Sequence, residues 1–501
     1  MARRPIVALT AAALALGACG AGSTTTPGGG PGPDPTPTSA PGAGGAPVLR
    51  TGPVAGVDWP EFGVNPQRTN ASAATTGIAA GDLARLQRRR VTLPGTVDSS
   101  PIYLHAVNVA GATRDVFVMT TTYGRTLAVA ADSGRILWAF TPPGIGAYEG
   151  SYRITTATPV ADPDRGSVYA ASPDGLVHKL SLADGREQAG WPARVTRLPT
   201  REKLASALNV AGGSVLAATG GYVGDEPPYQ GHVVAISRAT GRVTRVFNTL
   251  CADRRGLLVP STCPASDSAI WARAGAVVEP GGKRLLVATG NAPYDGRTDF
   301  GDSVLELRAA DLHLLQAYTP TDQASLDATD TDLGSSAPAL LPGRLAVMGG
   351  KDGALRLLDL ARLNGRRSAR PFRTGGELQK IDGPGRAQLF STPAVLHDTV
   401  FVANGAGTAA YVLRGRRLHL RWTASGHGSS PVVAGGLLWV FDVDAGQLDV
   451  YVPSSGRLLA RLDAGPGHWN SPIVAGGRVA LPEGNANDHR STGVLDLYST
   501  G

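Results

Sequence analysis

The residues able to do chemistry are few, and they lie in turns between apolar runs. Asp225 and Glu226 sit in GGYVGDEPPYQGHVVAI (220–236), Asn291 in ATGNAPYDGRTDFGDSVLEL (288–307), Asp330 and Asp332 in YTPTDQASLDATDTDLGSSAP (318–338), and Lys351 in GGKDGALRLLD (349–359). Carboxylates and carboxamides are hard oxygen ligands of the kind calcium takes. A carboxylate can also accept a proton as a general base, and an ammonium can meet a developing oxyanion. Taken singly, each group is ordinary turn chemistry: Asp-x-Asp and Gly-Asn recur in turns, and Lys-Asp-Gly recurs in hairpins. Lys351 is one of only five lysines in the chain. The three cysteines, Cys19, Cys251 and Cys263, show no zinc-type spacing with histidine. No Cys-x-x-Cys-His occurs, so no covalent haem is expected.

The elements that must position these residues form a repeat. A small residue, then Pro, then β-branched or apolar residues recurs as SSPI (99–102), TATPV (156–160), GSSAPAL (334–340), FSTPAV (390–395), GSSPVV (428–433) and NSPIV (470–474). SALNV (206–210) and RAGAVV (273–278) are weaker copies that fill the gap, making eight. Each copy opens a strand–turn–strand run, best seen in VFVMTTTYGRTLAVAADSGRILWAF (116–140). Four strands repeated eight times predict an all-β, eight-bladed propeller of four-stranded antiparallel blades. The chain stops one strand short of a complete eighth blade. The segment LARLQRRRVTLPG (83–95) reads as the missing strand, supplied from the N-terminal side to leave no free edge.

The blade pattern A-x-x-x-x-[ST]-G-x-x-x-W, seen with slight shifts from Ala130 to Trp138, resembles the tryptophan-docking blades of the pyrroloquinoline-quinone (PQQ) dehydrogenase superfamily. DWPEFGVNPQRTN…TTGI…DLARL (58–86) is similar to the segment before the first blade of the alcohol dehydrogenases in that superfamily. The resemblance implies a calcium ion held by Asp225 or Glu226 and by Asn291, with Asp332 an additional ligand. It implies Asp330 as the catalytic base and Lys351 as the contact to the quinone carbonyls. Trp271 falls near the position of the aromatic platform under the quinone, with Arg273 the other candidate for that position. PQQ and Ca²⁺ are the cofactors so implied. The adjacent cysteine pair of many such enzymes is absent.

The N-terminus points to export. Arg3 and Arg4 precede an apolar run (6–18) too short to span a bilayer, ending in Leu16-Gly17-Ala18-Cys19. This resembles a bacterial lipobox and implies acylation of Cys19. The reading is a signal peptide over 1–18, a Gly/Pro/Ser/Thr tether over 19–57 and the propeller over 58–501. The expected location is extracytoplasmic, anchored to the bilayer at the cell surface or in the periplasm. There Cys251 and Cys263 can form a disulfide.

The net charge of +7 is spread along the chain, and Arg88–Arg90 is the only triple basic run. No nucleic-acid partner is expected, and that run reads as one exposed outer strand. The functional expectation is a quinoprotein-like site oxidising an alcohol or polyol and passing electrons to an external acceptor. The alternative is a non-catalytic scaffold for envelope proteins, resembling the propeller lipoprotein of the outer-membrane assembly machine. A further alternative is a sugar- or polymer-binding module using Tyr222, Tyr229 and Tyr294.

Overall fold

The computed structural model describes residues 57–365, 370–484 and 489–500. The signal peptide, Cys19 and nearly all of the tether lie outside the described residues.

Eight four-stranded antiparallel sheets follow one another. Blade 1 is Ile102–Val109, Ala112–Thr120, Thr126–Ala130 and Ile136–Phe140. Blades 2 to 7 open with Val160–Ala161, Asn209–Ala211, Val277–Val278, Ala339–Leu341, Ala394–Leu396 and Val432–Ala434. Each opening strand begins within the last residues of one of the sequence motifs. Blade 8 comprises Ile473–Ala475, Arg478–Glu483 and Gly493–Ser499, and its fourth strand is Gln87–Leu93, paired from Gln87↔Ser499 to Leu93↔Gly493.

The inner strands are buried on both faces because each blade packs between two others. Thr126–Ala130 (TLAVA) is buried throughout, whereas the outer strand Leu458–Asp463 is not. The arginine run lies on such an outer strand. Arg88 pairs with Asp496 and Glu483, and Arg90 with Glu483, so part of its charge is matched within blade 8.

Consecutive blades are keyed by tryptophan. Trp138 of blade 1 donates its indole N–H to Leu182 O of blade 2 at 2.8 Å. Its ring covers Gly185, where an added Cβ would lie 2.6 Å from Trp138 Cε3. Gly185 also has φ +74°, so the turn needs glycine twice over. Trp422 of blade 6 meets Gly456 of blade 7 in the same way.

Before the first blade, residues 59–77 run across one end of the central axis. Backbone hydrogen bonds join Trp59 to Tyr103, Pro60 to Ala161, Pro66 to Val278, Thr69 to Val395, Asn70 to Val433 and Thr76 to Gly477. These partners belong to blades 1, 2, 4, 6, 7 and 8. At its centre the Arg68 guanidinium is fully buried, bonded to Glu61 (2.9 Å) and to the carbonyls of Phe62, Leu208 and Ala274. The axis is thus plugged at the end where each first strand finishes.

Candidate axial site

In an antiparallel four-stranded blade, the loop between strands two and three lies at the same end as the connection to the next blade. That end is opposite the plug. All the residues singled out in the sequence fall in these loops: Asp225 and Glu226 in blade 3, Asn291 in blade 4, Lys351 in blade 5. Trp271 and Arg273 lie between blades 3 and 4, and Asp330 and Asp332 between blades 4 and 5.

The loops enclose an axial cavity of about 570 Å³. Asp225, Trp271, Arg273, Asn291, Asp332 and Lys351 line it. Glu226 does not: it faces outward and ion-pairs with Arg201. Asp330 does not line it either, its side chain being 63 % exposed, although Oδ1 reaches Lys351 Nζ at 2.8 Å. Asp332 is buried, with Oδ2 2.7 Å from Lys351 Nζ and Oδ1 accepting the Asn291 N–H at 2.7 Å. Gly290 makes room for it, because a Cβ there would lie 2.9 Å from Asp332 Oδ1.

Electrostatics follow from this packing. Partial burial disfavours the Lys351 charge, but Asp332 and Asp330 outweigh it and hold the ammonium above its ordinary value. Burial, and the negative charge of Asp330 and Asp332, push the Asp225 carboxyl up against the opposing Tyr229 hydroxyl, which donates to it at 2.8 Å. Behind Asp332, burial and that same neighbour raise the fully buried Asp302 to about 7.

One wall is aromatic. Trp469 stacks on Phe390 (centroids 5.4 Å, 18°) and lies 5.9 Å from Trp271. The Lys351 ammonium lies 5.5 Å from the Trp271 ring, and the Arg273 guanidinium 4.9 Å from the Trp469 ring. A pair of indoles therefore spans the distance between two cations. A flat ligand can lie against such a surface and place polar substituents at either end.

Among the lining residues not singled out in the sequence are Asp98, Lys203, His468 and Trp469. Arg273 donates to Asp98 O at 2.8 Å, to Thr156 O at 3.2 Å and to Asp98 Oδ1 at 3.3 Å. His468 Nδ1 meets Asp98 Oδ2 at 3.0 Å. Burial works against the Asp98 charge, but Arg273, His468 and Lys203 hold it well below the usual carboxylate range. The scarcity of lysine was the one sequence signal that could have flagged Lys203.

As a metal centre the cavity is incomplete. Among the described residues, no group of three or more His, Cys, Asp or Glu side chains is placed to hold an ion. Asp225, Asn291 and Asp332 are oxygen donors of the right chemistry on the same cavity, but Asp332 is already engaged by Lys351. For a flat, multiply charged quinone, the aromatic wall and the cations Lys203, Arg273 and Lys351 match in shape and charge. Cys251 and Cys263 form a disulfide, placed in the connection between blades 3 and 4.

Residues 81–249 match the family model described as outer membrane protein assembly factor BamB. No protein of curated function matches the chain in sequence. Among solved structures, the chain is similar to the quinohemoprotein alcohol dehydrogenase of Comamonas testosteroni, at 15 % identity and TM-score 0.65, covering 89 % of this chain and 80 % of that one. It is similar to a europium-containing methanol dehydrogenase at 16 % identity and TM-score 0.65, covering 90 % and 99 %. It is also similar to BamB from Moraxella catarrhalis at 11 % identity and TM-score 0.52, covering 83 % and 99 %. At these identities the likeness is one of fold.

Proposed function

We propose that this eight-bladed propeller is of the PQQ type and that its axial cavity binds a PQQ-class quinone and oxidises an alcohol or polyol. The observation that carries this reading is the cavity wall: two indoles between Arg273 and Lys351, with Asp332 and Asn291 beside them. Trp271 would serve as the platform for its rings. Lys351 supports the charge that develops on a quinone oxygen. Asp332, rather than the exposed Asp330, is the carboxylate placed to take a substrate hydroxyl proton; Asp330 helps to hold Lys351. A quinone bound there would supply the redox chemistry. A calcium ion bound with it would draw on the Asp225 carboxylate and the Asn291 carboxamide and would act as a Lewis acid.

The test is reconstitution with PQQ and Ca²⁺, followed by dye reduction with a panel of alcohols. Turnover in the wild type, abolished in Asp332→Asn and retained in part by Asp330→Asn, supports the assignment. Turnover that survives Asp332→Asn overturns it.

The second reading is a protein-binding scaffold in the envelope, favoured by the family model over residues 81–249. It predicts no quinone binding and co-purification with envelope proteins. Under either reading we place the propeller outside the cytoplasm on a lipid-anchored tether. Cys19→Ser should release it from membranes, since the acyl chains would supply most of the affinity. A variant that still sediments with membranes after a salt wash overturns the anchor.

A further inference from the structure

We propose that the plugged end of the propeller is a cationic face that rests on an anionic lipid surface, with the axial cavity turned away from the bilayer. The proposal goes beyond the reading of the cavity and does not depend on it. It draws on the tether reading for the side on which the membrane lies, and its test does without the acyl chain.

A Gly-Arg or Gly-Lys step recurs in every blade, in a turn at the plugged end. Between strands three and four it is Gly134-Arg135 in blade 1, Gly185-Arg186 in blade 2, Gly241-Arg242 in blade 3, Gly415-Arg416 in blade 6 and Gly456-Arg457 in blade 7. Between strands one and two it is Gly282-Lys283 in blade 4, Gly343-Arg344 in blade 5 and Gly477-Arg478 in blade 8. The φ of these glycines runs from +61° to +76°. A left-handed glycine thus closes each turn and sets the following cation at the end of the blade.

Much of this charge is unmatched. Arg135, Arg242, Lys283 and Arg457 are exposed, and their side chains make no hydrogen bond or ion pair with any described residue. The Arg186 side chain is 86 % exposed and reaches only Asp184 of its own turn, at 3.5 Å. At the same end Asp58, Asp82, Asp311 and Asp359 are matched by Arg165, Arg85, Arg308 and Arg416. The exposed Asp132, Asp164 and Asp398 offset part of the remainder. The cavity end also carries arginines, but there the exposed Glu149, Asp225, Glu226, Asp253, Asp330 and Asp444 accompany them.

The chain enters the propeller at this end. Val57, the first described residue, is half exposed. Beside it Asp58 accepts the His105 N–H at 2.7 Å and pairs with Arg165 at 2.7 Å, and Trp59 already belongs to the strap. Residues 1–56 therefore join the propeller on its plugged side, the side that a membrane tether would hold nearest the bilayer. Because every blade contributes a cation, the charges are spread around a ring rather than gathered in a pocket. That arrangement fits an extended anionic surface and not a single small ligand. An anionic leaflet favours each lysine or arginine at its surface by about fivefold in affinity, and several on one rigid face act together.

The test is sedimentation with phospholipid vesicles. All chains are full-length and carry Cys19→Ser, so that no acyl chain contributes. The vesicles are phosphatidylcholine alone or with roughly one third phosphatidylglycerol, at about 50 mM and about 500 mM salt. One variant combines Arg135→Glu, Arg242→Glu, Lys283→Glu and Arg457→Glu. A second makes the same change in net charge at the cavity end, with Arg194→Glu, Arg197→Glu, Arg255→Glu and Arg297→Glu. Expected is binding to the phosphatidylglycerol vesicles at low salt, lost at high salt and absent from phosphatidylcholine alone. The first variant should bind at least ~100-fold more weakly, and the second less than ~10-fold more weakly. Equal loss in both variants shows an effect of net charge and refutes the face. No binding, or equal binding to both kinds of vesicle, also refutes it. Retention on poly-glutamate beads without vesicle binding gives the face to an acidic protein and overturns the lipid assignment. Circular dichroism confirms that each variant is folded. None of these outcomes bears on the quinone reading.

Discussion

An ammonium turned into a cavity with no hydrogen-bond partner among the described residues should weaken the fold, and Lys203 allows that cost to be measured. Its ammonium titrates at about 8 rather than 10.5. Each unit corresponds to about 1.4 kcal/mol, so the protonated form costs about 3.5 kcal/mol as an upper figure. Part of the side chain faces the cavity, where water screens it, which reduces the expected value to about 2 kcal/mol. Lys203→Met keeps the aliphatic stem and removes the charge. At pH 7 both folded and unfolded wild-type chains hold the proton, so the full cost is present and the variant should be more stable. Between pH 8 and 10.5 the unfolded chain keeps a proton that the folded chain has released. Wild-type stability therefore rises through that window and the advantage of the variant disappears. For a propeller of this size, about 2 kcal/mol is a shift of roughly 2 °C in Tm. Calorimetry at pH 7 and pH 10 measures it. A variant destabilised at pH 7, or a gain that persists unchanged at pH 10, refutes the reasoning.

Gly290→Ala should push Asp332 off the Asn291 N–H and lower affinity for PQQ roughly tenfold, the worth of one hydrogen bond, read by fluorescence titration. Asp302→Asn should stabilise the protein at pH 8 and not at pH 4. The wild-type carboxyl, raised to about 7 in the folded state, must ionise in a buried site as pH rises through that range, so its contribution falls from pH 4 to pH 7 and stays low above. Urea unfolding at the two pH values checks this. Replacing both Cys251 and Cys263 by serine should cost about 2–3 kcal/mol through loop-closure entropy, and the native wild type should show neither thiol to alkylating reagents.

The fold was legible because the repeat is local. A small residue and an opening motif precede every first strand, and the turn glycines mark the fourth. The end of the propeller that carries the site was legible for the same reason, since strand–turn order alone places Asn291 and Lys351 at one end. Choices between neighbours were not. Asp225 has φ +46° and Asp330 φ +50°, and in such left-handed turns a pattern cannot tell which of two adjacent or alternate carboxylates faces the axis. Asp225 lines the cavity and Glu226 does not; Asp332 lines it and Asp330 does not. The basic end of the cavity, of which only Arg273 was named from the sequence, was obscure for another reason. Asp98, Lys203, Arg273 and His468 come from four different inter-blade connections, and only closure of the ring brings them together.

The strap that ties six blades around Arg68 has a kinetic corollary. With the far end of the axis blocked by the strap, the described residues leave the cavity open at the loop end, beside the exposed Tyr152 and Val223. Whatever lies against Trp469 and Arg273 must arrive before anything that sits nearer the mouth at Tyr152 and Val223, and it must leave afterwards. Two ligands sharing this space would therefore follow a compulsory order, with the outer one trapping the inner. An excess of the outer ligand should slow the dissociation of the inner one without any change in the protein's shape.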